Sequence, residues 1–166
     1  MSDQIFDVKA YAEKAREAVA EGVVMLRNEG GVQPLVPGES IALFGRSQYN
    51  YYKSGTGSGG LVNTSYVTGI REALKDSDYI LNEELEAAYE SWLIENPFDT
   101  GVGWAAEPWF QKEMPVSREL VARVRSESDT AIVVIGRTAG EDKDNKAEEG
   151  SYLLTAESPY IAIFPP

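Results

Sequence analysis

Apolar positions follow two periods along this chain. From about Val8 to Asn28, Ala12, Ala15, Val19, Val23 and Leu26 recur at three- and four-residue steps, while Glu13, Arg16, Glu17 and Glu21 fall mostly on other faces. That spacing predicts an amphipathic helix, stopped by Asn28-Glu-Gly-Gly31. Gly22 inside it costs about 1 kcal/mol against alanine, which suits a close helix–sheet contact. Ser40-Ile-Ala-Leu-Phe-Gly45 and Thr130-Ala-Ile-Val-Val-Ile-Gly136 are instead short, unbroken apolar runs ending in glycine. They predict buried strands, with Tyr79-Ile80-Leu81 as a third, shorter candidate. Further helices are expected over Ser65 to Lys75 after a cap at Asn63 or Thr64, over Glu83 to Ile94, and from a Ser117 cap through Ser126. Their inner faces would be Val67, Ile70, Ala73 and Leu74; Leu85, Ala88, Tyr89 and Trp92; and Leu120, Val121 and Val124. Strands alternating with helices in this order predict an α/β fold, a largely parallel sheet flanked by helices as a three-layer sandwich.

Three stretches break the periodicity. Glu95 to Pro115 holds prolines, glycines and two tryptophans without a period, and so long a loop in a compact domain is either functional or packed against something else. Arg46 to Gly60 follows the first strand and is dense in hydroxyls, amides and tyrosines, among them Tyr52, Lys53, Thr56 and Ser58. Such a loop suits a sugar, which needs many hydrogen-bond partners and aromatic faces. Arg137 to Gly150 follows the last long strand and turns abruptly polar, with Glu141 beside Gly140. Loops leaving the carboxyl ends of buried strands are where ligands and catalytic groups sit in α/β folds. An acid-rich loop can also be no more than a solvated surface, and the second polar loop is what favours a site.

Charge and composition narrow the chemistry. A net charge of −12 over 166 residues argues against nucleic acid or an anionic membrane as partner. Neither cysteine nor histidine occurs. Disulfides, thiolate and imidazole metal sites, thiol nucleophiles and Ser-His-Asp triads are therefore excluded. Chemistry falls to carboxylates, lysines, arginines, tyrosines and hydroxyls. The first residues lack the pattern of a signal peptide and no run has transmembrane length, so a cytoplasmic location is expected.

Gly55-Thr-Gly57-Ser-Gly-Gly60 formally matches a dinucleotide fingerprint, but Arg46 to Ser54 separate it from its strand. A flexible turn and a sugar loop are the competing readings. Asp142-Lys-Asp144-Asn145 fails as a calcium loop, because Lys146 and Ala147 stand where an oxygen ligand and a glycine are needed. Lys53 could act as a nucleophile only if desolvated. No cofactor or metal is expected.

Several separated motifs together resemble the α/β-sandwich domain of glycoside hydrolase family 3, the β-glucosidase family. They are Ala15-Arg-Glu-Ala-Val-Ala-Glu-Gly-Val-Val-Met-Leu-Arg-Asn-Glu29, Pro34-Leu35, Ile41-Ala-Leu-Phe-Gly45, Lys53-Ser-Gly-Thr-Gly-Ser-Gly59, and Gly136-Arg-Thr-Ala-Gly-Glu141 running to Gly150-Ser-Tyr-Leu-Leu-Thr155. The resemblance implies a retaining hydrolysis at a seam between two domains, with the nucleophilic aspartate on a separate (β/α)-barrel. It assigns the acid/base role to Glu141 and a place in the sugar site to Ser58; the composition of the same loop adds Lys53, Thr56 and Tyr52 as candidates for binding the sugar. Retaining chemistry needs two carboxyls about 5–5.5 Å apart, and the nucleophile's charge would help keep the second one protonated.

A barrel does not fit in 166 residues. The expectation is therefore a sandwich domain over residues 1–157, incomplete relative to the family's and followed by a divergent tail over 158–166. Its substrate would be a β-glucoside or oligosaccharide. Its missing half would come from a barrel domain or a second copy, and alone it would be inactive. An inverting reaction using Glu141 with Glu148 or Glu149 is a further possibility. So is a non-catalytic oligomerisation or sugar-binding module, for which an open sheet edge and the apolar Trp104 and Trp109 would favour a homo-oligomer. A nucleotide-binding domain is the third alternative.

Overall fold

The structure, a computed structural model, describes residues 7–52, 56–141 and 143–155. Lys53 and the tail lie outside the described residues, as does the expected domain boundary at 157. The chain divides into two compact units, Met1–Leu35 and Val36–Pro166.

The first unit is built on helix α1, Val8–Gly22. Asp7 caps it, its carboxylate accepting from the Ala10 N–H at 3.0 Å. The helix is shorter than the apolar period implied. Val23 is already extended, with φ −77° and ψ 121°. Gly22 and the β-branched Val23 and Val24 are poor helix formers in succession, so the apolar spacing outlasts the hydrogen bonding. Gly22 thus closes the helix instead of lying inside it, and none of the helix's residues is buried. A turn of 3₁₀ helix follows at Glu29–Gly31.

The second unit holds a parallel three-stranded sheet in the order β2-β1-β3. Strand β1, Ser40–Phe44, is central, flanked by β2, Ile80–Leu81, and β3, Thr130–Val133. Its register sets Ile41 against Leu81 on one side, and Ile41 to Phe44 against Thr130 to Val133 on the other. Paired on both sides and covered on both faces, β1 is buried from Ile41 to Phe44, which explains its unbroken apolar run. Ala42 and Phe44 join Leu85 and Tyr89 of helix α3 (Glu83–Glu95) and Val124 of helix α4 (Arg118–Ser126) in one core cluster with Met114. Each large apolar side chain so buried contributes about 1.5–3 kcal/mol. Both helices start where side-chain caps dictate: the Leu85 N–H donates to Asn82 at 3.0 Å and the Leu120 N–H to Ser117 at 3.2 Å.

Between β1 and β2 the helix, α2, spans only Ile70–Lys75, after Gly69. The expected start near Ser65 is not helical. Neither Asn63 nor Thr64 caps it, and Val67, placed on its inner face by period alone, precedes it and lines a cavity. Strand β3 likewise ends at Val133, before the apolar run does. Among the described residues no helix is long and apolar enough to cross a membrane.

Candidate active site

The site lies where the chain leaves β1 and β3. Beyond β1, Gly45 (φ +100°) donates its N–H to the buried Tyr89 hydroxyl at 2.7 Å. A turn of 3₁₀ helix, Arg46–Gln48, follows and is wholly buried. The Arg46 guanidinium donates to the carbonyls of Lys112 and Asn96 at 2.8 and 2.9 Å and lies over the Trp92 ring. Its backbone N–H donates to Glu113 at 2.9 Å. Desolvation lowers the pKa of Arg46 and raises that of Glu113, each partly offset by the other's charge. This assembly fixes the base of the polar loop, and the periodicity gave no hint of Arg46 or Glu113.

The two polar loops meet further out. The Thr56 N–H donates to the Ala139 carbonyl at 2.9 Å, and Thr56 pairs with Gly140 as an isolated parallel bridge. Gly140 is required there by contact: a Cβ would stand 2.1 Å from the Thr56 carbonyl oxygen. The next residue, Glu141, is exposed and reaches back across the bridge, where its carboxylate accepts from the Ser58 N–H at 2.7 Å. Gly57, at φ +93°, makes room: a Cβ there would lie 2.6 Å from the same carboxylate oxygen. Backbone and hydroxyl hydrogen bonds from Ser58 together hold the Glu141 pKa below the usual carboxylate value. In this chain alone Glu141 is therefore a carboxylate at neutral pH, whereas a proton donor must be protonated.

Glu141, Ser58 and Thr56, expected together, are thus brought together, with Tyr52 close by on the same loop. Tyr52 is half-buried and packs edge-on against Phe98, ring centres 6.1 Å apart, and burial raises its hydroxyl's pKa. A cavity of about 590 Å³ opens beside Thr56 and Gly57. Its lining also takes in Phe98, Trp104 and Glu107 from the aperiodic connection between α3 and α4. Ala105 in that connection has φ +52°, which no other described non-glycine residue shares in sign; a left-handed alanine costs roughly 1–2 kcal/mol. Trp104 and Trp109, expected to form one apolar seam, differ: Trp104 is 57% exposed, whereas the indole nitrogen of Trp109 is buried and Lys146 lies over its ring. As for a phosphate at Gly57 to Gly60, the Ser58 N–H is already engaged by Glu141, whose negative charge would repel one.

The glycosyl hydrolase family 3 C-terminal domain matches residues 23–156. A β-glucosidase of Ruminococcus albus is 52% identical over 149 residues, covering 90% of this chain, and β-glucosidase A of Butyrivibrio fibrisolvens is 31% identical over 138 residues, covering 82%. The chain spans 16% of the length of either relative. Among solved structures, a β-glucosidase from Paenibacillus barengoltzii superposes with a TM-score of 0.88 at 50% identity, over 94% of this chain and 17% of that one. β-Glucosidase 3B of Thermotoga neapolitana, in complex with α-D-glucose, superposes at 0.78 with 30% identity, over 95% and 22%. With its parallel sheet and flanking helices matching theirs, the chain belongs to glycosyl hydrolase family 3, as a C-terminal α/β-sandwich domain.

Proposed function

We propose that these 166 residues carry the proton-donating half of a site that cleaves terminal β-glucosides, with Glu141 as acid/base and Ser58, Thr56 and Tyr52 on the sugar side. Lys53, outside the described residues, is assigned to the same side by its place in the loop. One observation carries the reading: the Glu141 carboxylate is held on the Ser58 N–H, 2.7 Å away, between two loops tied together beside a cavity. The lowered pKa fits half a site. A retaining glycosidase sets a second carboxyl about 5–5.5 Å away, and a like charge at that range would push Glu141 up toward the protonated state that acid catalysis needs. Such a carboxyl would come from a barrel domain.

Alone, the chain should turn over an aryl β-glucoside at the background rate, and Glu141→Gln should change nothing. A substantial Glu141-dependent rate would refute the incompleteness. The carbohydrate reading is tested separately by titrating the chain with glucose and following backbone amide resonances. Shifts are expected at Thr56, Ser58 and Glu141; their absence at saturating sugar sinks the reading.

A second reading, a non-catalytic module that assembles with another copy, draws on one feature. Among the described residues β3 pairs only with β1, and Ile135 just beyond it is 48% exposed. Light scattering at micromolar concentration should then give a homo-oligomer, and a monomer dismisses this reading.

A further inference from the structure

Strand β3 opens an unbroken apolar run, Ala131-Ile-Val-Val-Ile135, of the kind that belongs in a sheet interior. Yet none of its four residues is buried, whereas Ile41 to Phe44 of β1 all are. Among the described residues its second edge carries no strand. The Val134 N–H donates inward, to the Phe44 carbonyl at 2.8 Å, so alternation turns the Ala131 and Val133 N–H groups outward to that bare edge. Space is unfilled on both faces beside it. On the α4 side a cavity of about 290 Å³ is lined by Phe44, Val121, Val124 and Ala131, and on the α2 side one of about 390 Å³ is lined by Ile70, Ile132 and Val134. A strand completing this sheet would need apolar side chains pointing both ways, and native folds cover or blunt such edges.

One stretch of this chain has that composition. Tyr160-Ile-Ala-Ile-Phe164 is apolar at every position, and Pro165 and Pro166 follow it. Proline cannot donate to a ladder, which confines it to edge strands and strand ends. The connection is short enough. Thr155, the last described residue, shares the lining of a small cavity with Val134 to Arg137, and the Arg137 guanidinium donates to the Tyr152 carbonyl at 2.7 Å. The chain is therefore delivered to the carboxyl end of β3. Residues 156–159 include Ser158-Pro159, a turn-forming pair. They can span about 13 Å, against roughly 4.8 Å between neighbouring strands. The opposite edge, at β2, is two residues long and lies across the sheet.

We propose that residues 160–164 dock on β3 as an antiparallel fourth strand, filling both cavities and closing the edge within one molecule. Tyr160, Ala162 and Phe164 then share one face, and Ile161 and Ile163 the other. The proposal is independent of the role of Glu141, and it withdraws from the assembly reading the edge on which that reading draws.

Amide hydrogen exchange of the full 166-residue chain, followed by NMR, tests this with wild type and the double variant Ile161→Asp, Ile163→Asp. In wild type the Ala131 and Val133 amides should be protected equally at low and high protein concentration. Nuclear Overhauser contacts should join residues 160–164 to Ala131–Val133. Two aspartates set against apolar space should abolish both signals, while the Val134 amide, bonded to β1, stays protected and reports an intact sheet. Free exchange at Ala131 and Val133 in wild type overturns the proposal, as does protection that survives in the variant. Protection that grows with concentration assigns the edge to a second copy and overturns it too. Should the variant unfold, the wild-type Overhauser contacts decide alone, and their absence refutes the docking.

Discussion

Glu113 and Glu141 each accept one backbone N–H, from Arg46 at 2.9 Å and from Ser58 at 2.7 Å, yet their pKa values move in opposite directions. Glu113 is 9% exposed, and desolvation outweighs its hydrogen bond. Glu141 stands in solvent, so the bonds from Ser58 outweigh the desolvation that opposes them. A single N–H therefore does not fix what a carboxyl does; the water it keeps decides the sign. Glu113 belongs to the frame under the site, and Glu141 is the group that frame presents.

The contrast is broken most forcefully from the buried side. Arg46→Ala removes a charge that is 1% exposed and strips the Lys112 and Asn96 carbonyls of their donor. A loss of about 3–5 kcal/mol is expected, the range for breaking a buried ionic cluster, read as a lowered urea midpoint. Gly140→Ala follows. The added carbon would collide with the Thr56 carbonyl, costing about 1–3 kcal/mol and separating the loops. The Glu141 titration, followed by carbon NMR of its carboxyl, should then rise toward the ordinary glutamate value.

Glu113→Gln sharpens the comparison through pH. Because the folded pKa of Glu113 is raised, the native state binds more protons than the unfolded one just above the ordinary value of 4.5. Its contribution is full below that value and is lost as pH rises through the raised folded pKa. Glutamine should flatten this decline in denaturation curves taken across the acidic range. Glu141 contributes with the opposite sign: its folded pKa is lowered, so its share is present above 4.5 and disappears as pH falls through the folded value. The smallest effect is expected from Ser58→Ala. That variant removes the hydroxyl bond but keeps the N–H, so the Glu141 titration should return only part of the way and the melting temperature should barely move.

Much of this was legible in the residues, and the failures have definite causes. α4 begins after Ser117, whose side chain does the expected capping; such a signal is local and survives translation from sequence to fold. β1 was legible because a strand buried on both faces cannot hide its composition. The overlong reading of α1 came from trusting apolar spacing where Gly22 and Val23 end the hydrogen bonding. The meeting of the loops could be guessed from two glycines, but not the reason for each. One yields space to a carbonyl and the other to a carboxylate, and both depend on chain segments far apart in sequence. Arg46 and Glu113 were illegible for the same cause. Burial of a charge and the concavity of a loop are properties of packing, which no periodicity encodes.

The parallel register of β1 with β3 has one more consequence. Ser58 hangs from the first strand and Glu141 from the third, so the offset Phe44 to Val133 sets the origin from which both are measured. A slip of one residue would carry the acid about 3.3 Å along the strand direction and turn its side chain to the opposite face. The alignment of the two loops behaves like a vernier scale, its graduations cut in the hydrogen-bond ladder. Grafting this domain onto a foreign barrel should therefore tolerate altered outer loops far better than any insertion within those two strands.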